Sequence, residues 1–178
     1  ARYRDINGLS LEWHHQLSPE RAIFISAQDS RFNYSGDNSV RDANFNAVGV
    51  GVRQAWSAAW KPALTATLNA GRESNKRNRD DLSKNSVGLR LGLDLAPKQS
   101  WTVGAGLTYQ ETRHRQPDAL LLITRTDDYA ALDVTATYSM SRNLSIRGEL
   151  LFSETRSNIA LYSNRRDVAT VNIRYEFR

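Results

Sequence analysis

Cysteine is absent from the 178 residues, methionine occurs once and proline four times. Without cysteine there is no disulfide framework, no thiolate metal site and no cysteine nucleophile. No run of apolar residues approaches the length of about eighteen that a membrane-spanning helix needs. That does not exclude the membrane, because a spanning β-barrel never shows such a run. No segment carries a helical period either. The one methionine, Met140, is internal, so the chain is expected to start after a removed segment or as an excised piece; no signal peptide is visible. An apolar fraction of 40% with 24% charged residues excludes wholesale disorder, and the length suits one domain over residues 1–178.

What the chain does have is a period of two. The clearest case is 87–95, where Val87, Leu89, Leu91, Leu93 and Leu95 alternate with Gly88, Arg90, Gly92 and Asp94. The same alternation runs through 8–17, 43–56, 63–73, 101–112, 130–140, 144–153 and 168–178, and 21–34 looks extended without cleanly separable faces. Such alternation means a strand with one apolar and one polar face. About nine strands of roughly ten to thirteen residues result, well above the usual ~5–6. Strands crossing a bilayer explain the excess, since they need ~9–11 tilted residues.

Connections alternate too. Short ones fall at 18–20, 57–61, 96–100 and 141–143, and long polar ones at 35–42, 74–84, 114–126 and 157–166. Short turns at one end with long loops at the other are the pattern of a transmembrane barrel. Trp56, Trp60 and Trp101 sit beside short turns, as an interfacial aromatic girdle would, with Tyr175 and Phe177 at the chain end. Tyr34, Tyr109 and Tyr129 are expected to form a second girdle near the long loops.

A soluble β-sandwich or lipocalin-like barrel also alternates, but it turns its bulky face inward and its charged face to water. Here the polar face is small and glycine-rich, at Gly49, Gly51, Gly88, Gly92, Gly104 and Gly106, and Arg carries nearly all its positive charge. That suits a constricted, hydrated lumen. Glu12, Arg53, Arg90, Asp94, Asp133, Arg147, Glu149, Arg174 and Glu176 are therefore expected to line the lumen. Their opposite charges should pair across strands, as Arg147 with Asp133 and Arg174 with Glu149. Leu89, Leu91, Leu93, Leu107, Val134, Ile146 and Ile173 are expected to face lipid. An odd strand count cannot close as an all-antiparallel barrel, so the chain is expected to be the C-terminal portion of a larger, even-stranded one.

Little else promises chemistry. His14 and His15 are adjacent on a strand and point to opposite faces, so they cannot chelate one ion. His114 lies at a loop base between Arg113 and Arg115, without a ligand partner two residues away. Asp80–Asp81 and Asp127–Asp128 stand at the long-loop rim, where outer-membrane proteases of the omptin type hold carboxylates with a His to activate water. No Asp-x-His pairing occurs here. No enzyme activity, metal or cofactor is expected. The net charge of +5 is spread over loops and lumen without an aromatic-interleaved patch, so nucleic acid is not an expected partner. Lys76, Arg77, Arg79 and Lys84 in one long loop would suit lipopolysaccharide phosphates.

The last strand, VATVNIRYEFR, resembles the C-terminal β-signal of bacterial outer-membrane proteins, with Tyr175 and Phe177 outward and Arg178 following the aromatic that usually ends it. That resemblance implies recognition by the barrel assembly machinery. Further upstream, SNIALYSNRRDVATVNIRYEF resembles the closing hairpin of outer-membrane proteins that join periplasmic tetratricopeptide repeats to a C-terminal barrel. Surface lipoprotein assembly modifiers belong to that group, and more loosely barrels of exopolysaccharide export and of the phage-adsorption-protein type. The resemblance covers about the last fifty residues, the rest matching by architecture alone. It implies a Gram-negative outer-membrane location, contact with outer-membrane lipid, and a part in transport or secretion of a surface lipoprotein or polysaccharide. The alternatives are a surface receptor, a passive porin or a rim enzyme.

Overall fold

A computed structural model describes residues 3–177. They form one sheet of nine antiparallel strands whose spatial order follows the chain. The strands are β1 (Arg4–Ser18), β2 (Arg21–Tyr34), β3 (Ala43–Ala55), β4 (Ala63–Asn75), β5 (Lys84–Lys98), β6 (Trp101–Pro117), β7 (Thr124–Ser139), β8 (Leu144–Ser157) and β9 (Asn164–Tyr175). The all-β, up-and-down architecture expected from the alternation is present. No ladder joins β1 to β9 among the described residues, so the sheet there has two edges.

The strands outrun their apolar cores. Arg4–Asn7, ahead of the alternation that starts at residue 8, continues β1 and pairs with Tyr34–Arg31 of β2. Likewise β6 extends to Pro117 and β7 begins at Thr124, which shrinks the expected 114–126 loop to 118–123. The reason is that these extensions are mostly polar, Ile6 apart, so no alternation marks them. They are paired nonetheless: Lys84 pairs with His114 and Ser86 with Thr112, while the β6–β7 ladder shifts register between Arg113 and Pro117.

Serines shape two of the short turns. Ser18 Oγ accepts from the backbone N–H groups of Glu20 (3.3 Å) and Arg21 (3.1 Å). Ser141 Oγ repeats this with Asn143 (3.2 Å) and Leu144 (3.1 Å). A hydroxyl that satisfies two turn amides favours a tight reversal. Three of the long connections instead hold short 3-10 segments, at Gly36–Arg41, Asp80–Leu82 and Ala160–Tyr162.

Candidate functional site

Register assigns every strand residue to a face, because directly paired residues share one. Leu89, Leu91, Leu93, Leu107, Val134, Ile146 and Ile173 all fall on the same face, with Leu91 opposite Leu107 and Ile146 opposite Ile173. Leu89, Leu91, Leu93, Leu107 and Ile173 are exposed, from 36% at Leu93 to 71% at Ile173, and Val134 and Ile146 are half-buried. Among the described residues only Ala43, Ala63 and Ile159 are buried apolar groups. The chain has an accessible surface of 12540 Å² for 20.1 kDa. A compact soluble monomer of that mass exposes ~8,700 Å². The sheet has a broad apolar face, and nothing among the described residues covers it.

The opposite face is polar, small and more sheltered: Gly49, Gly51, Gly88 and Gly106 are buried on it. Glu12, Arg53, Arg90, Asp94, Asp133, Arg147, Glu149 and Arg174 all share it by register, and Glu176 follows just past β9. Opposite charges do pair, but not as expected. Arg147 meets Glu149 at 2.6 Å and Arg174 meets Glu176 at 2.8 Å, each two residues along the chain. Asp133 is taken by Arg90, which reaches from β5 past β6 at 2.9 Å. Residues i and i+2 on one strand face the same way within reach of an Arg side chain, so pairing needs no partner strand. Arg125–Asp127 and Arg165–Asp167 follow the same rule, as do Glu111–Arg113 and Glu154–Arg156, while Arg79–Asp81 has the same spacing in the connection before β5. The repeated Arg-x-acid spacing was the signal available in the sequence.

The aromatics divide. Trp101 is on the apolar face against Tyr138, with ring centroids 4.9 Å apart. Tyr175 and Phe177 pack edge to face at 4.7 Å. Trp56 and Trp60 lie in the turn after β3 and are exposed. The second girdle does not hold as a set. Tyr109 is on the apolar face, but Tyr34 pairs with Arg4 and Tyr129 with Gln110 on the polar one. His14 stacks on Phe24 of the polar face and His15 on Trp13 of the apolar face, as adjacent strand residues must.

At the long-connection end, side chains clip strand ends together. The buried Asp42 accepts from the Tyr34 amide (2.8 Å) and holds Arg77 Nη2 (2.9 Å). Ser83 Oγ accepts from the Asn75 amide (2.9 Å) and Ser163 Oγ from the Ser157 amide (3.0 Å). Asp118 Oδ1 accepts from Leu120 (2.9 Å) and Leu121 (3.0 Å), presenting the exposed tip Leu120–Leu122. These bonds depress acid pKa values: the Tyr34 amide, then Arg77, acts on Asp42; Arg79 acts on Asp81; and the Leu121 and Leu120 amides act on Asp118. The four basic residues considered for lipopolysaccharide are engaged within the protein. Arg77 is held by Asp42, Arg79 by Asp81 (2.7 Å) and Lys84 by Glu73 (3.4 Å), while Lys76 Nζ donates to Asn33 (3.2 Å).

Of the rim candidates for chemistry, His114 Nδ1 meets the Asp81 carbonyl (2.8 Å), Asp127 binds Arg125, and Asp128 accepts from Tyr109 Oη (2.8 Å). No group of three or more metal-ligating side chains gathers among the described residues. No protein-family model, curated protein or solved structure matches the chain.

Proposed function

We propose that the chain is part of a bacterial outer-membrane β-barrel, and that this barrel is the membrane portion of a system that exports or assembles a surface lipoprotein or polysaccharide. The observation that carries the reading is the exposed apolar face. Lipid covers such a face without a second protein layer, and closed barrels are the only β-structures that satisfy their backbone inside a bilayer. The sheltered polar face then lines a lumen, narrowed by ion pairs such as Arg90–Asp133. Short turns lie on the periplasmic side and the clipped long connections outside.

The count of strands adds a further element. In an up-and-down sheet β1 and β9 run the same way, so their edges cannot pair antiparallel with each other. The reading therefore includes at least one oppositely directed strand from elsewhere in a larger, even-stranded parent barrel. Tyr175 at the end of β9 and Phe177 just past it then serve as the signal for the barrel assembly machinery. Lys76, Arg77, Arg79 and Lys84 would touch lipopolysaccharide only in competition with their present partners.

Fractionation of Gram-negative cells making the parent protein tests this reading. The protein should sediment with the outer membrane and resist extraction by urea. Recovery in the soluble periplasm, or release by urea, would overturn it.

A further inference from the structure

We propose that the polar face of β1 to β6 carries a binding site for a neutral polyhydroxylated ligand, a stretch of uncharged glycan. The inference rests on the export reading and names its cargo class: sugar rather than acylated protein. A depression of about 520 Å³ lies there, with Ser26, Gln28, Phe45, Asn69, Ser86 and Gln110 in its wall. Sites for small ligands span ~300–1,000 Å³. Glycines keep it open. A Cβ at Gly71 would stand 2.9 Å from Ser86 Oγ and 3.2 Å from Phe45 Cε2, and one at Gly88 2.7 Å from Asn69 Oδ1. Hydroxyl, ring and amide thus lie against bare backbone instead of filling the hollow.

The chemistry of the wall selects the ligand. Glu12 is the one charged residue in it, and His14 Nε2 already engages that carboxylate. Charge resumes one step outside, at the Glu73–Lys84 pair, and toward β7 at Arg90–Asp133. Within the belt stand amides and hydroxyls, which both donate and accept, as sugar hydroxyls do. The Gln28 amide is steadied by donating to Ser30 Oγ (3.0 Å) and that of Gln110 by donating to Thr112 Oγ1 (3.2 Å). Aromatic rings frame the belt at either end. Phe45 stacks on Phe32 at 6.0 Å, and Phe24 lies over Gly51 against His14 at 5.6 Å. Ring faces suit the C–H faces of a pyranose. A polyanion or a basic peptide would lose hydration here without gaining a counter-charge, and an acyl chain would strand the amides unpaired.

The full protein, folded in vesicles of outer-membrane lipid, is titrated calorimetrically with maltoheptaose, chitohexaose and a galactohexaose, and with sulfated maltoheptaose. At least one neutral oligosaccharide should bind saturably, and its sulfated counterpart about tenfold or more weakly. Phe45→Leu keeps an apolar side chain while removing the ring, and Gln28→Met keeps the length and removes the amide; each should weaken binding at least about fivefold. Thr170→Ala, on the same face at β9, should leave binding unchanged. Absence of binding by every neutral probe, or binding indifferent to both substitutions, would overturn the proposal. Protein that inserts into vesicles yet binds nothing refutes this inference alone, whereas protein that does not insert refutes the export reading beneath it.

Discussion

The guanidinium of Arg90 on β5 meets the carboxylate of Asp133 on β7 at 2.9 Å, crossing above Gly106 on the strand between them. A Cβ at Gly106 would lie 2.5 Å from Asp133 Oδ1 and 2.7 Å from Arg90 Nη2. The glycine is there for the ion pair. A second contact, from Arg90 Nη1 to Thr108 Oγ1 at 2.8 Å, fixes the direction of the guanidinium. Together they lay a charged bar across three strands of the polar face.

Gly106→Val should therefore act through Arg90. Forcing a branched side chain into that space costs ~1–3 kcal/mol by overpacking. Arg90→Met in the Gly106→Val background should cost much less than in the native protein, because the pair is already broken. Equilibrium unfolding of the two single variants and the double variant measures this coupling. Strictly additive losses would separate the glycine from the pair.

The two faces of β5 should respond oppositely to polar substitution. Leu91→Arg places a charge on the apolar face near mid-strand and should destabilise the lipid-embedded protein by ~2–4 kcal/mol. Gly92→Ser should be nearly neutral, since a Cβ there has only Thr65 Cβ nearby, at 3.9 Å. Unfolding free energies in vesicles decide it, and equal losses would mean that the faces are exchanged.

Acid should loosen the long connections before it loosens the strands. Asp42, Asp81 and Asp118 are each held below the ordinary 3.8. A depressed folded value means that the acid stabilises the fold in full above its unfolded pKa. The contribution is lost as pH falls from 3.8 through the lower folded value. The Tyr34 and Leu121 amides should lose hydrogen-exchange protection over that range, while the Leu91 amide in mid-strand keeps its own. In Asp42→Asn the Tyr34 amide should already exchange faster at neutral pH. Protection at Tyr34 that is independent of pH would contradict the clip.

Alternation made the strands legible, and with them the two faces, because a strand with one apolar and one polar face has a period of two. What the alternation could not carry was lost. Strand ends such as Lys84–Ser86 are polar on both faces and look like loop. In β2 the polar face holds Phe24 and Phe32 while the apolar face holds Ile23 and Ile25, so no contrast remained to show where Tyr34 points. The ion pairs were missed for a different reason. Like-facing neighbours along one strand, such as Arg147 and Glu149, compete successfully with partners across the ladder. Nor could sequence alone reveal the neutral basin, whose residues lie far apart in the chain and meet only through the register of six strands.

Topology across the membrane tests the central claim most directly. Asp37→Cys lies in the first long connection, Leu161→Cys in the last and Ala58→Cys in a short turn, in a chain without native cysteine. Leu161 is 81% exposed, so a thiol there is open to reagent. On intact cells an impermeant maleimide should label positions 37 and 161 and spare position 58, which should react only after the outer membrane is permeabilised. Equal labelling of all three before permeabilisation, or labelling of position 58 alone, would contradict a barrel that holds these long connections outside the cell.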